Sequence, residues 1–98
     1  MRVQVVSATV EPERREAYLR AWAEWSGTLF AMEIRAELLE SETLPGSFVE
    51  LTWLESGTEG ALADDRLVRA AAALDAAATR EGSLEFFGPI RLDPSEAG

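Results

Sequence analysis

The sequence of 98 residues contains no His, no Cys, no Lys and no Asn, and a single Gln, Gln4. Without cysteine there is no disulfide framework and no thiolate to act as ligand or nucleophile. A Ser or Thr nucleophile has no His or Lys to activate it. Zinc or iron would have to be held by carboxylates alone, and no acids recur at converging spacing, so no metal and no cofactor is expected. Positive charge is scarce: nine Arg stand against eighteen acids, for a net charge of -9. A phosphate backbone needs a basic stripe that releases counterions, and an anionic membrane surface repels the same sign, so neither nucleic acid nor membrane is an expected partner. Long apolar runs are also missing. No stretch approaches the roughly 18 residues of a membrane span, and Met1–Val6 is too short for a signal peptide, which places the expected site in the cytoplasm. Gly57-Thr58-Glu59-Gly60 lacks both the length and the Lys of a phosphate loop.

What is present is a folded body. Hydrophobic residues make up 47% of the chain, with three Trp and four Phe, too rich for disorder at this charge. The length fits one domain, expected over residues 1–92, with 93–98 as a disordered tail. Arg2–Val10 reads as a strand with apolar residues on both faces, Val3 and Val5 on one, Val6, Ala8 and Val10 on the other. Pro12 opens a helix flanked by Glu11 and Glu13. Its apolar stripe is Tyr18, Trp22, Trp25 and Leu29, and Gly27 sets its end between Ser26 and Phe30. Glu33–Glu40 alternates as a strand. Pro45-Gly46 suits the centre of a type II turn, and Phe48–Leu54 returns with Phe48, Glu50, Thr52 and Leu54 on one side and Val49, Leu51 and Trp53 on the other. Ala61–Thr79 reads as a second helix, bent near Asp64-Asp65 and ended by a left-handed cap at Gly82. A last strand is expected over Leu84–Leu92, with a bulge or edge position at Gly88-Pro89.

This order, βαββαβ, is the ferredoxin-like α+β arrangement: a four-stranded antiparallel sheet with two helices on one face. The other face is then bare, although the strands carry apolar residues on both sides. Leaving those in water costs about 1.5 to 3 kcal/mol per side chain. A second copy related by a two-fold axis would cover them, so a homodimer with paired sheets is expected.

Val10-Glu11-Pro12-Glu13 leading into a long helix, and Phe48–Ser56 leading into a broken one, resemble the dimeric α/β barrel superfamily, including the antibiotic biosynthesis monooxygenase-like proteins. The resemblance spans residues 1–92. It implies a dimer holding a ligand between sheet and helices, in a superfamily that includes cofactor-free oxygenases, haem degraders and muconolactone isomerase-like enzymes. The haem-degrading branch uses an Asn, a His and a Trp. This chain has neither Asn nor His, and the Trp of that pattern falls at Trp53.

Three functions follow as expectations. The first is a dimer that binds a small apolar or aromatic ligand or is purely structural. The second is a cofactor-independent monooxygenase or isomerase acting on an aromatic or polyketide-like substrate, and the third a small regulatory or interaction module. The catalytic candidates are Glu50, Tyr18 and Arg35. Glu50 shares a strand face with Phe48 and Leu54, and burial raises a carboxylate's pKa and suits it to general-base work. A structural role, paired with an Arg such as Arg35 or Arg91, is the competing reading. The ligand-binding candidates are Trp22, Trp25, Trp53 and Phe48, an aromatic wall suited to a flat apolar molecule or else simply core.

Overall fold

The computed structural model describes residues 2–55 and 59–86, with 59 and 83–86 as backbone only. Strand β1 (Arg2–Thr9) runs into a short 3-10 turn at Pro12–Arg14 and then helix α1 (Arg15–Ala31). Strands β2 (Ala36–Glu40) and β3 (Ser47–Leu54) form a hairpin, a second 3-10 turn spans Glu59–Ala63, and helix α2 (Asp65–Ala77) leads into β4 (Thr79–Phe86). The sheet is antiparallel throughout, in the order β2-β3-β1-β4. This is the expected ferredoxin-like α+β fold.

Burial alternates along β3 with period two. Phe48, Glu50, Thr52 and Leu54 are all at most 3% exposed, and they face the helices. The core joins Ala8, Phe48 and Leu54 of the sheet to Tyr18, Trp22, Trp25 and Leu29 of α1 and to Leu67, Ala70, Leu74 and Ala77 of α2. On the opposite face the register sets Val5 beside Leu51, Val3 beside Trp53, and Leu39 beside Val49. No element of the described chain covers that side. Leu39 is about half exposed, and Val5, Val49, Leu51 and Trp53 are only partly buried.

The hairpin turn matches its sequence. Ser47 N–H donates to the Leu44 carbonyl at 3.1 Å, and Gly46 sits at φ +88° as the third residue of a type II turn. A side chain there would also strike the Val10 carbonyl, 2.6 Å from where a Cβ would lie. Arg15 holds the hairpin to α1 by a two-pronged pair with Glu40, at 2.5 and 2.7 Å. That guanidinium, together with the Gly46 N–H, pulls the Glu40 pKa down to about 2.

Five boundaries differ from expectation. Helix α1 runs past Gly27 to Ala31 and closes with Glu33 at φ +60°. Glu33 N–H donates to the Phe30 carbonyl and Ile34 N–H to that of Leu29, while Ile34 and Leu29 are both buried. This is a Schellman end with Glu where Gly is usual. It consumes residues 32–34, so β2 starts at Ala36 rather than Glu33. The second helix is split: Asp64 accepts the Arg66 N–H at 2.8 Å and caps a new helix, so Glu59–Ala63 is a separate 3-10 turn. Finally, α2 ends at Ala77, and Gly82 is not a helix cap but lies inside β4, opposite Val6. The last strand therefore begins at Thr79 instead of Leu84. All eight residues of β1 find partners on Thr79–Phe86, and pairing a whole strand edge outweighs the helix propensity of Ala76–Ala78 and the strand penalty of one glycine. Phe87, Gly88-Pro89, Arg91 and the 93–98 tail lie outside the described residues.

Candidate functional site

The sheet divides the sequence candidates into two sets. Between sheet and helices lie Glu50, Tyr18, Phe48, Trp22 and Trp25, all at most 9% exposed. On the open face lie Arg35 and Trp53, with the Arg35 guanidinium stacked 4.4 Å from the Trp53 ring centre and bonded to Glu37 at 2.7 Å.

The inner set is built around Glu50, placed on the inner face by the alternation of β3. Tyr18, pointing down from α1, donates its hydroxyl to Glu50 Oε2 at 2.7 Å, and its ring lies 4.9 Å from that of Phe48. Arg80 completes the cluster. It pairs with Ala8 in the β1–β4 register and reaches across β1, donating from Nε to Oε2 at 3.0 Å and from Nη2 to Oε1 at 2.6 Å. Its remaining Nη1 donates to Asp75 at 2.6 Å, at the surface. Arg80 crosses from beside Ala8, whose side chain is small, and a Cβ on Gly82, in the same strand, would approach Val6 Cγ2 to 3.0 Å.

Burial and the bond to Glu50 push the Tyr18 pKa well above the usual tyrosine value. Burial works against the Arg80 charge, but Glu50 and Asp75 outweigh it and hold the guanidinium protonated. Both Glu50 oxygens are thus committed to partners, and no buried side-chain N or O among the described residues lacks one. The arrangement is that of a satisfied structural ion pair. The partner is Arg80 of the same chain rather than Arg35, whose guanidinium sits on the far side of the sheet.

A recess lies elsewhere. An open trough of about 1000 Å³ runs between the C-terminal half of α1 and the start of β2, lined by Ala23, Gly27, Phe30, Ile34, Arg35 and Ala36 among others. Phe30 is 83% exposed beside it. Two residues in its lining break local rules. Gly27 stands inside α1, one turn before its end, where glycine costs up to about 1 kcal/mol relative to Ala. Nothing lies within 4 Å of where its Cβ would be, so no close packing calls for it. Glu33, also in the lining, holds the left-handed conformation of the helix end, which costs a non-glycine residue about 1 to 2 kcal/mol. Of the sequence candidates, Arg35 belongs to this lining. Phe30 and Glu33 carried no signal in the sequence, whereas Gly27 did: a glycine inside an otherwise strong helical pattern. Among the described residues no group of three or more acids converges as a metal site would, and no helix is long and apolar enough to cross a membrane.

The shape of the chain matches solved structures. SnoaB, a cofactor-independent oxygenase from Streptomyces nogalater, aligns over 95% of this chain and 96% of its own at a TM-score of 0.76 and 24% identity. A structure described as a putative antibiotic biosynthesis monooxygenase from Deinococcus radiodurans aligns over 95% and 98% at 0.76 and 15%. Another so described, from Nitrosomonas europaea, aligns over 93% and 100% at 0.72 and 18%. The fold is that of the antibiotic biosynthesis monooxygenase-like structures. At these identities the likeness speaks for the fold. No family model and no curated protein sequence matches the chain.

Proposed function

We propose that the protein is a homodimer, joined across the open faces of two sheets, that binds a small apolar or aromatic ligand in the trough between α1 and β2. The observation that carries the ligand reading is the pairing of Gly27 and Glu33. Each is a locally costly choice, Gly27 at a place where nothing would meet a side chain and Glu33 at a helix end where glycine is usual, and both line the same largely apolar recess beside an unpacked Phe30. Departures from local preference concentrate where function rather than stability selects the residue.

The test is titration with N-phenyl-1-naphthylamine, a neutral aromatic probe whose fluorescence rises in apolar surroundings. The intact protein is expected to bind it saturably. Gly27→Leu is expected to abolish binding while raising stability by up to about 1 kcal/mol, because the new side chain fills open space on a helix. Unchanged probe binding in a folded Gly27→Leu variant would contradict the assignment.

A second reading, a cofactor-independent oxygenase, is favoured by the likeness to SnoaB. Its distinguishing result is dioxygen uptake on adding a polycyclic phenol to metal-free, flavin-free protein. The committed hydrogen bonds of Glu50 speak against that residue as its base.

A further inference from the structure

Resting on the trough as a ligand site, we infer that its ligand carries a single anionic head group, a carboxylate or its equivalent, held by Arg69 and Arg66 while its apolar body lies toward Phe30. A second recess of about 590 Å³ opens between α1 and α2, lined by Ala23, Glu24, Gly27, Thr28, Ala31, Arg66 and Arg69. It shares Ala23, Gly27 and Ala31 with the apolar trough. These three recur every fourth residue and so form one stripe along α1. With no side chain larger than a methyl group along that stripe, the two recesses meet over a low saddle at Gly27. One side of the saddle is largely apolar, with Glu33 and Arg35 also in its lining; the other carries two guanidinium groups on successive turns of α2.

Charge sets the ligand class. In a chain of net charge -9, two arginines on one recess are an exception. Asp64 takes the Nε and one Nη of Arg66, at 3.1 Å each, and caps α2 with the same carboxylate. That leaves the second Arg66 amino group and the Arg69 guanidinium with no hydrogen-bonded carboxylate among the described residues. A guanidinium presents paired N–H donors that match a carboxylate or sulfonate in geometry. Glu24, on the α1 wall, and Asp64, which both arginines attract, supply opposing charge, which favours a monoanion over a polyanion. The ligand that fits both recesses is therefore an amphipathic organic acid with an aromatic or compact apolar body.

The test compares two probes with the same body: N-phenyl-1-naphthylamine, which is neutral, and 8-anilinonaphthalene-1-sulfonate, which carries one negative charge. The sulfonate is expected to bind about fivefold more tightly, the scale of a solvent-exposed charge pair. That advantage should vanish in Arg69→Gln and in 0.5 M salt, with the neutral probe unaffected by either. If both probes bind equally, or if Arg69→Gln leaves the sulfonate's advantage intact, the anionic head group is wrong and the apolar trough stands. If the neutral probe fails to bind, or still binds to Gly27→Leu, the trough itself is wrong and this inference falls with it.

Discussion

At the scale of single residues, the interior is organised by one carboxylate. Glu50 is 3% exposed, and its neutralising partner Arg80 is itself largely buried, with 13% of its side chain exposed. Removing one member of such a pair leaves an uncompensated charge away from water, which costs about 3 to 5 kcal/mol, whereas replacing both with apolar groups of similar volume is often neutral. Arg80→Met alone is therefore expected to destabilise the protein by that amount in urea denaturation, and Glu50→Met with Arg80→Met and Tyr18→Phe, which leaves no buried hydroxyl without its acceptor, to recover most of it. A single variant within about 1 kcal/mol of the parent would show that the pair does not bear on stability. The burial of Glu50 was legible in the sequence, because Phe48, Glu50, Thr52 and Leu54 alternate with Val49, Leu51 and Trp53. Its partner was not. Arg80 lies thirty residues away, in a stretch whose local composition reads as the end of a helix, and only the β1–β4 register brings the two together.

At the scale of elements, long periodic segments were readable and their ends were not. The stripe Tyr18, Trp22, Trp25, Leu29 predicted α1, and the structure buries all four. The turn at Pro45-Gly46 followed from the φ that only glycine adopts at low cost. The boundaries around α2 and β4 were misplaced for two reasons: a local cap at Asp64 started the helix anew, and at its other end a tertiary contact overrode local preference. A run of four residues from Leu74's neighbour Asp75 to Ala78 favours helix, yet Ala78 is already extended, at φ -152° and ψ 158°, because β1 requires a partner strand. Gly82 looked like a helix stop and is a strand residue instead. The end of α1 is the reverse case, a glycine-type conformation occupied by Glu33. Glu33→Gly is expected to raise stability by about 1 kcal/mol, a rise in Tm of about 4 to 8 °C for a domain of this size. No gain on thermal unfolding would mean that the left-handed turn at residue 33 is not strained.

At the scale of the molecule, a single sheet faces two ways. Its inner face is roofed by α1 and α2 with a closed set of hydrogen bonds. Its outer face presents Val5, Leu39, Val49, Leu51 and Trp53 with no helix or strand of the described chain over them, Trp53 carrying only the Arg35 guanidinium. A contiguous apolar patch of this kind marks an interaction surface, and an identical face is its natural complement, since a two-fold axis sets each patch against its own copy. This arrangement also organises the ligand reading. Arg35 both lines the trough and stacks on Trp53, so the recess opens at the margin of the face that a second protomer would cover. The sequence pointed to pairing through the double-sided pattern of its strands, but not to the trough, which depends on how α1 ends and where β2 begins.

The central claim is that the open sheet face joins two copies of the chain, and sedimentation equilibrium at micromolar concentration tests it most directly. The expected result is a species of twice the 10.7 kDa protomer mass, converted to a folded protomer by Leu51→Glu at the centre of the face. A stable species of 10.7 kDa for the unaltered protein would contradict it.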